Sequence, residues 1–142
     1  MTLKKILVAF DGSDLSKKAL NLALDIARPN PEIHLDVVYA ATLPAFAITE
    51  ASGMQAVIDA VSTDGEEVLD QARAALGDRA HNTEAILARG VYPANEILIL
   101  IESGNYDLVI IGSRGLSGIK EHLGSMSYKI LHGSTAPVLI AK

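Results

Sequence analysis

The chain has 142 residues, 49% apolar and 20% charged, with a formal net charge of -5. That is enough chain for one packed domain, which buries roughly two-thirds of the surface its unfolded form exposes, and it is not the composition of a disordered chain. There is no cysteine, which excludes disulfides, thiol catalysis and cysteine-based metal sites, and the acidic balance argues against a nucleic-acid surface.

The first apolar run, Lys5–Phe10, is rich in strand formers and ends in the turn cluster Asp11-Gly12-Ser13-Asp14. It stops too soon for the apolar core of a signal peptide, and no apolar stretch reaches membrane-spanning length. The expectation is a soluble cytoplasmic protein, with no membrane and no nucleic acid among its partners. Ser13 or Asp14 can cap the following helix by accepting an orphan backbone N–H. Leu15, Ala19, Leu22 and Ile26 form its apolar face. Pro29 and Pro31 then end it.

Ile33–Ala41 is a second strand, apolar enough for burial on both faces of a parallel sheet. A loop from Thr42 leads to a second helix, in which Met54, Val57, Ile58 and Val61 are followed by Val68, Leu69, Ala72 and Leu76. Gly65 between the two sets predicts a kink or break. Thr83–Gly90 is a third, less apolar strand, suited to a position near an edge. Tyr92–Gly104 reads as a helix, with Pro93 in its first turn, Glu96 near its N-terminus and Gly104 at its stop. Tyr106–Gly112 is the fourth strand, a short helix runs from Ser125 to about His132, and Ala136–Lys142 is the fifth strand.

This alternation predicts an α/β fold, a doubly wound five-stranded parallel sheet with helices on both faces. With strand 1 central, the order is 3-2-1-4-5. Ligands of such sheets bind beyond the strand C-termini where the order reverses. Here that point lies between strands 1 and 4, so it brings Asp11 up to the loop that begins at Gly112.

That loop carries Gly112, Gly115, Gly118 and Gly124, whose backbone N–H groups a ligand can approach closely. Ser125 begins a helix, whose free N–H groups favour an anion. Ser113, Ser125 and Ser127 add hydroxyls, and Arg114 and Lys120 add positive charge. The result reads as a phosphate cradle, with Asp11 as acceptor for a ribose or base donor. Neither a P-loop nor a dinucleotide fingerprint is present. Duller roles exist for the same residues. Asp11 can brace the strand-to-helix turn, the glycines can serve a tight turn, Ser125 can be an N-cap, and the two cations can be solvated. His122 lies in the loop without a nucleophile or carboxylate at a catalytic spacing, and the other three histidines rank below it. The four tyrosines read as packing residues with wet hydroxyls. No carboxylate cluster for magnesium stands out.

The segments Ile6–Leu20, Gly90–Leu131 and Ala136–Lys142 resemble the universal stress protein family of the ATP-binding, single-domain type, over nearly the whole chain. The family's loop signature is Gly, two residues, Gly, nine residues, Gly and Ser or Thr. Gly112, Gly115, Gly124 and Ser125 match it, with eight residues instead of nine between Gly115 and Gly124. One residue fewer moves the phosphate-facing N–H groups by a few ångströms. The resemblance implies that Asp11 and the Ala9 backbone contact adenosine. Ala40 stands where the family often has valine against adenine. Ile111, Gly112, Arg114 and Gly115 line the ribose and phosphate path, beside Ser113. Gly124, Ser125 and Met126 hold the phosphates. It further implies ATP as ligand, with or without a magnesium or manganese ion, a stress-response regulatory role with at most slow hydrolysis, and a homodimer joined through Val138–Ile140. The alternative left open is a dimeric protein-interaction module whose nucleotide site is degenerate, or a slow ATPase.

Overall fold

The computed structural model describes residues 2–45, 53–115 and 123–142, and the side chains of 80 and 81 are not among the described atoms. Five strands, β1 (Lys5–Ala9), β2 (His34–Thr42), β3 (Thr83–Gly90), β4 (Leu108–Gly112) and β5 (Val138–Ala141), form one sheet in the order β3-β2-β1-β4-β5. Every neighbouring pair is parallel. Among the described residues, four α-helices alternate with them: α1 (Asp14–Ala27), α2 (Met54–Leu76), α3 (Pro93–Gly104) and α4 (Ser125–Gly133). A 3-10 helix, Gly77–Asn82, delivers the chain from α2 into β3.

The expected fold class and strand order are those observed. Ile6 to Ala9 are all buried, because β1 has a strand on each side and helices on each face. Alternate residues serve the two faces. Ile6 and Val8 join Ala19, Leu20 and Ala23 of α1 and Leu69 and Ala72 of α2. Leu7 and Ala9 join Ala94, Ile97 and Ile101 of α3 and Ile130 of α4.

Several boundaries differ from the sequence reading. Phe10 lies past β1, although its N–H still bonds the Val38 carbonyl at 2.8 Å. β2 runs one residue further, to Thr42. Tyr106 precedes β4, and Ala136 precedes β5. The expected break at Gly65 does not occur, since α2 is continuous from Met54 to Leu76. Gly65 is buried where α2 crosses β3, and a Cβ there would stand 2.5 Å from Leu87 Cδ1. The glycine serves close packing, and one glycine's helix penalty is too small to break a helix clamped onto a sheet. Gly104 is the last helical residue, and the left-handed cap is Asn105, φ 54°.

Candidate functional site

β1 and β4 are neighbours whose following helices lie on opposite faces, so their C-terminal ends diverge and leave a crevice. Among the described residues this crevice is a cavity of about 590 Å³. Of the residues expected at a site, Ala9, Asp11, Ala40, Ile111, Gly112, Arg114, Gly115, Gly124, Ser125 and Met126 all line it. Ser113 is not in the lining. Its N–H bonds the Ala141 carbonyl at 2.7 Å and its carbonyl accepts from Gly124 N–H at 2.7 Å, which pins both ends of the loop to the sheet. Gly118, Lys120 and His122 lie outside the described residues.

Asp11 sits on the turn between β1 and α1. Its Oδ1 accepts the Ser13 N–H at 2.9 Å, so the bracing role expected of it exists. Gly12 takes φ +83°, a left-handed turn that L side chains rarely adopt. Ser13 is the N-cap of α1, its Oγ accepting the Ser16 N–H at 3.2 Å. The brace leaves Asp11 Oδ2 directed at the opposite wall: a Cβ on Gly115 would lie 2.6 Å from it.

That opposite wall is the end of β4 and the start of α4. Gly124 is the N-cap, so Ser125 is the first helical residue rather than the cap itself. A helix start leaves its first N–H groups without intrahelical acceptors, and the helix dipole is positive there. Ser127 Oγ donates to the Gly112 carbonyl at 2.6 Å and locks α4 to β4. Gly112 is also close-packed, since a Cβ on it would stand 2.9 Å from Leu15 Cβ and 3.0 Å from the Leu15 carbonyl carbon. The arrangement is a row of glycines and a helix N-terminus facing one carboxylate.

A third wall was not expected from the sequence. Val38 and Thr42 of β2 and Pro93 and Ile97 of α3 add an apolar flank beside Ala40. Pro93 and Ile97 stand one turn apart on the helix that follows β3, and nothing in the sequence sets them apart from ordinary core positions. Tyr39 completes the lining on the other side. Burial, then the carboxylates of Asp11 and Asp64, raise its hydroxyl above the ordinary tyrosine range, so it stays a neutral donor. Asp11 is the one carboxylate and Arg114 the one cation among the described lining residues. A flat apolar flank, polar turns and a basic, amide-rich end suit a ligand with a planar ring at one end and an anion at the other.

The tyrosines do not all have wet hydroxyls. Tyr106 is 7% exposed, and its hydroxyl donates to Asp36 at 2.7 Å, at the far end of the sheet from this cavity.

Comparison with known proteins agrees with this architecture. The family model described as "Universal stress protein family" matches residues 2–142. Universal stress protein YxiE of Bacillus subtilis is 35% identical over 146 aligned positions, which cover 97% of this chain and 98% of that protein. The universal stress protein UspA from Lactobacillus plantarum superposes with a TM-score of 0.83 at 18% identity, covering 100% of this chain and 99% of the other. A universal stress protein solved in complex with cAMP superposes with a TM-score of 0.63 at 25% identity, covering 100% and 98%. With a family model spanning all but the first residue, and a relative at this identity over nearly its full length, the chain belongs to the universal stress protein family.

Proposed function

We propose that residues 1–142 act as one nucleotide-binding domain, a regulatory protein that holds an adenine nucleotide, ATP foremost, in the crevice between β1 and the Gly112–Ser125 loop. The observation that carries this reading is the pairing of Asp11 with the glycines of that loop across the switch point. Space that a Cβ on Gly115 would fill is the space a phosphate or ribose needs. Adenine stacks against Val38, Ala40 and Ile97, the ribose hydroxyls donate to Asp11, and the phosphates meet the N–H groups of Ser125 and Met126. The cAMP carried by a relative of similar fold supports the adenine class. The three phosphates of ATP match the amide-rich end better than a single one does. A magnesium or manganese ion accompanying ATP would be held chiefly by the phosphates, with Asp11 as the near carboxylate.

The same reading includes a homodimer joined through β5. It is an edge strand, and Leu139 on it is exposed. An apolar edge left open invites a second chain. A protein working on the cell's ATP supply belongs in the cytoplasm.

Denaturing the purified protein and identifying what it releases tests the nucleotide, with calorimetry against ATP, AMP and cAMP to rank ligands. Adenine nucleotide in the extract, or saturable heat with ATP strongest, is expected. No released nucleotide and no heat at millimolar ligand overturns the reading.

A further inference from the structure

One polar side chain on the wall of the crevice has no partner within the described protein. Val38 and Ala40 of β2 pack on the α3 side of the sheet, and Tyr39 between them points to the other face, against the core under α1 and α2. Tyr39 also lines the crevice, with Phe10, Asp11 and Ser13. The ladder sets its level. Ala9 is the register partner of Val38, and the Phe10 N–H bonds the Val38 carbonyl at 2.8 Å. Tyr39 therefore stands beside Phe10, one residue before Asp11.

No hydrogen bond among the described residues engages the Tyr39 hydroxyl. Burial, then the carboxylates of Asp11 and Asp64, keep its proton in place, so it is a donor. Asp11 supplies the complement. Its Oδ1 is taken by the Ser13 N–H at 2.9 Å, and its Oδ2 faces across the crevice to Gly115. An ionised carboxylate only accepts, and a sugar hydroxyl both donates and accepts. One such hydroxyl satisfies both groups at once. A hydrogen in its place satisfies neither, an ether oxygen serves only the tyrosine, and a phosphate there meets the carboxylate's charge.

We propose that Tyr39 determines the sugar class of the ligand: its hydroxyl donates to a ribose hydroxyl whose own proton goes to Asp11 Oδ2, so the crevice takes ribonucleotides and turns deoxyribonucleotides away. This rests on the adenine-nucleotide reading of the site and adds the sugar to it. The ring of Tyr39 packs against the core whatever ligand is bound, and the hydroxyl alone carries the selection. A ligand lacking the sugar hydroxyl leaves a donor and a charged acceptor unmet, which is the way a site rejects an analogue with one hydroxyl fewer.

Calorimetry with ATP, 2′-deoxy-ATP and 3′-deoxy-ATP on the unmodified protein and on Tyr39→Phe tests this. The unmodified protein is expected to bind one of the two deoxy analogues at least about tenfold more weakly than ATP. In Tyr39→Phe, ATP should weaken about five- to tenfold while that analogue changes by less than about twofold, so the gap narrows. A merely structural role would weaken all three ligands alike, and that result overturns the proposal. So does equal binding of the three ligands by the unmodified protein, or a gap that Tyr39→Phe leaves intact, which would assign the sugar to Asp11 alone. Failure of Tyr39→Phe to fold overturns it as well, because the hydroxyl would then serve the protein and not the ligand. Binding of none of the three overturns the nucleotide reading itself, and this inference with it.

Discussion

Asp11 and Gly115 meet across the mouth of the crevice, so closely that a Cβ on Gly115 would stand 2.6 Å from Asp11 Oδ2. The carboxylate cannot simply swing away, because its other oxygen holds the Ser13 N–H. Gly115→Ala therefore pushes on a braced group at the place where the nucleotide is proposed to sit. Affinity for adenine nucleotide should drop at least about tenfold, the effect of a misdirected charged hydrogen bond. Thermal stability should move by only about 3 °C, since the contact is with a side-chain tip at the surface of the fold. Paired calorimetry and thermal melts check this; unchanged affinity would mean that Asp11 does not serve the ligand.

Two other glycines separate packing from conformational freedom. A Cβ on Gly112 meets the Cβ and backbone of Leu15, inside helix α1. The helix backbone has nowhere to go, so Gly112→Ala should cost about 2–3 kcal/mol, the upper range for overpacking. A Cβ on Gly65 meets Leu87 at the end of its side chain, which can rotate. Alanine also recovers about 1 kcal/mol of helix propensity there. Gly65→Ala should cost no more than about 1 kcal/mol. Urea unfolding with matched slopes ranks the two, and the reverse ranking would contradict the packing described.

How much of this was legible beforehand follows from the range over which each signal acts. Apolar runs and turn clusters are local, so the strands and helices were readable within a residue or two. Strand order followed from parallel connections, and it alone joined Asp11 to the loop after β4. The flank from Val38, Thr42, Pro93 and Ile97 was not read, because ordinary core residues carry no mark that one side faces a cavity. Asp36 and Tyr106 were not read as a pair. They are 70 positions apart, and their meeting depends on the register of three strands. The histidine that stands out in the sequence is His122, because of the glycine-rich loop around it. Gly65 misled for the opposite reason: helix propensity is local, and the fit against Leu87 is not.

The Tyr106 hydroxyl is pushed above the ordinary tyrosine range, first by burial and then by its bond to Asp36 and the charges of Asp36 and Glu84. In the unfolded chain it ionises near the usual value of about 10. A group whose proton is held more tightly in the folded state contributes stability below the unfolded value and loses it as pH rises beyond it. Folding stability should therefore decline above about pH 10. Tyr106→Phe removes this part of the decline. At neutral pH it leaves Asp36 short of a donor, which should cost about 1.5–3 kcal/mol. Denaturation from about pH 7 to about pH 11, spanning the unfolded value, checks both halves. Equal alkaline slopes in the two proteins would show that Tyr106 is not the group responsible.

The last strand carries the dimer proposal. β5 pairs with β4 on one side alone, and Leu139 is 36% exposed on it. Its neighbours Val138 and Ile140 are half-buried, so the strand is apolar throughout yet incompletely covered. Such an edge is tolerated when a second chain covers it, and charge on an edge strand is the common device against pairing. Leu139→Glu should convert a dimer into a monomer while leaving the fold nearly as stable, because little of that side chain's burial is internal. Sedimentation measures the first and urea unfolding the second. If the unmodified protein sediments as a monomer, the joint through β5 is wrong. A dimer that persists in the Leu139→Glu protein, with a carboxylate on both edges, would move the interface elsewhere, with Tyr128 and Leu131 on α4 the next exposed apolar residues to alter.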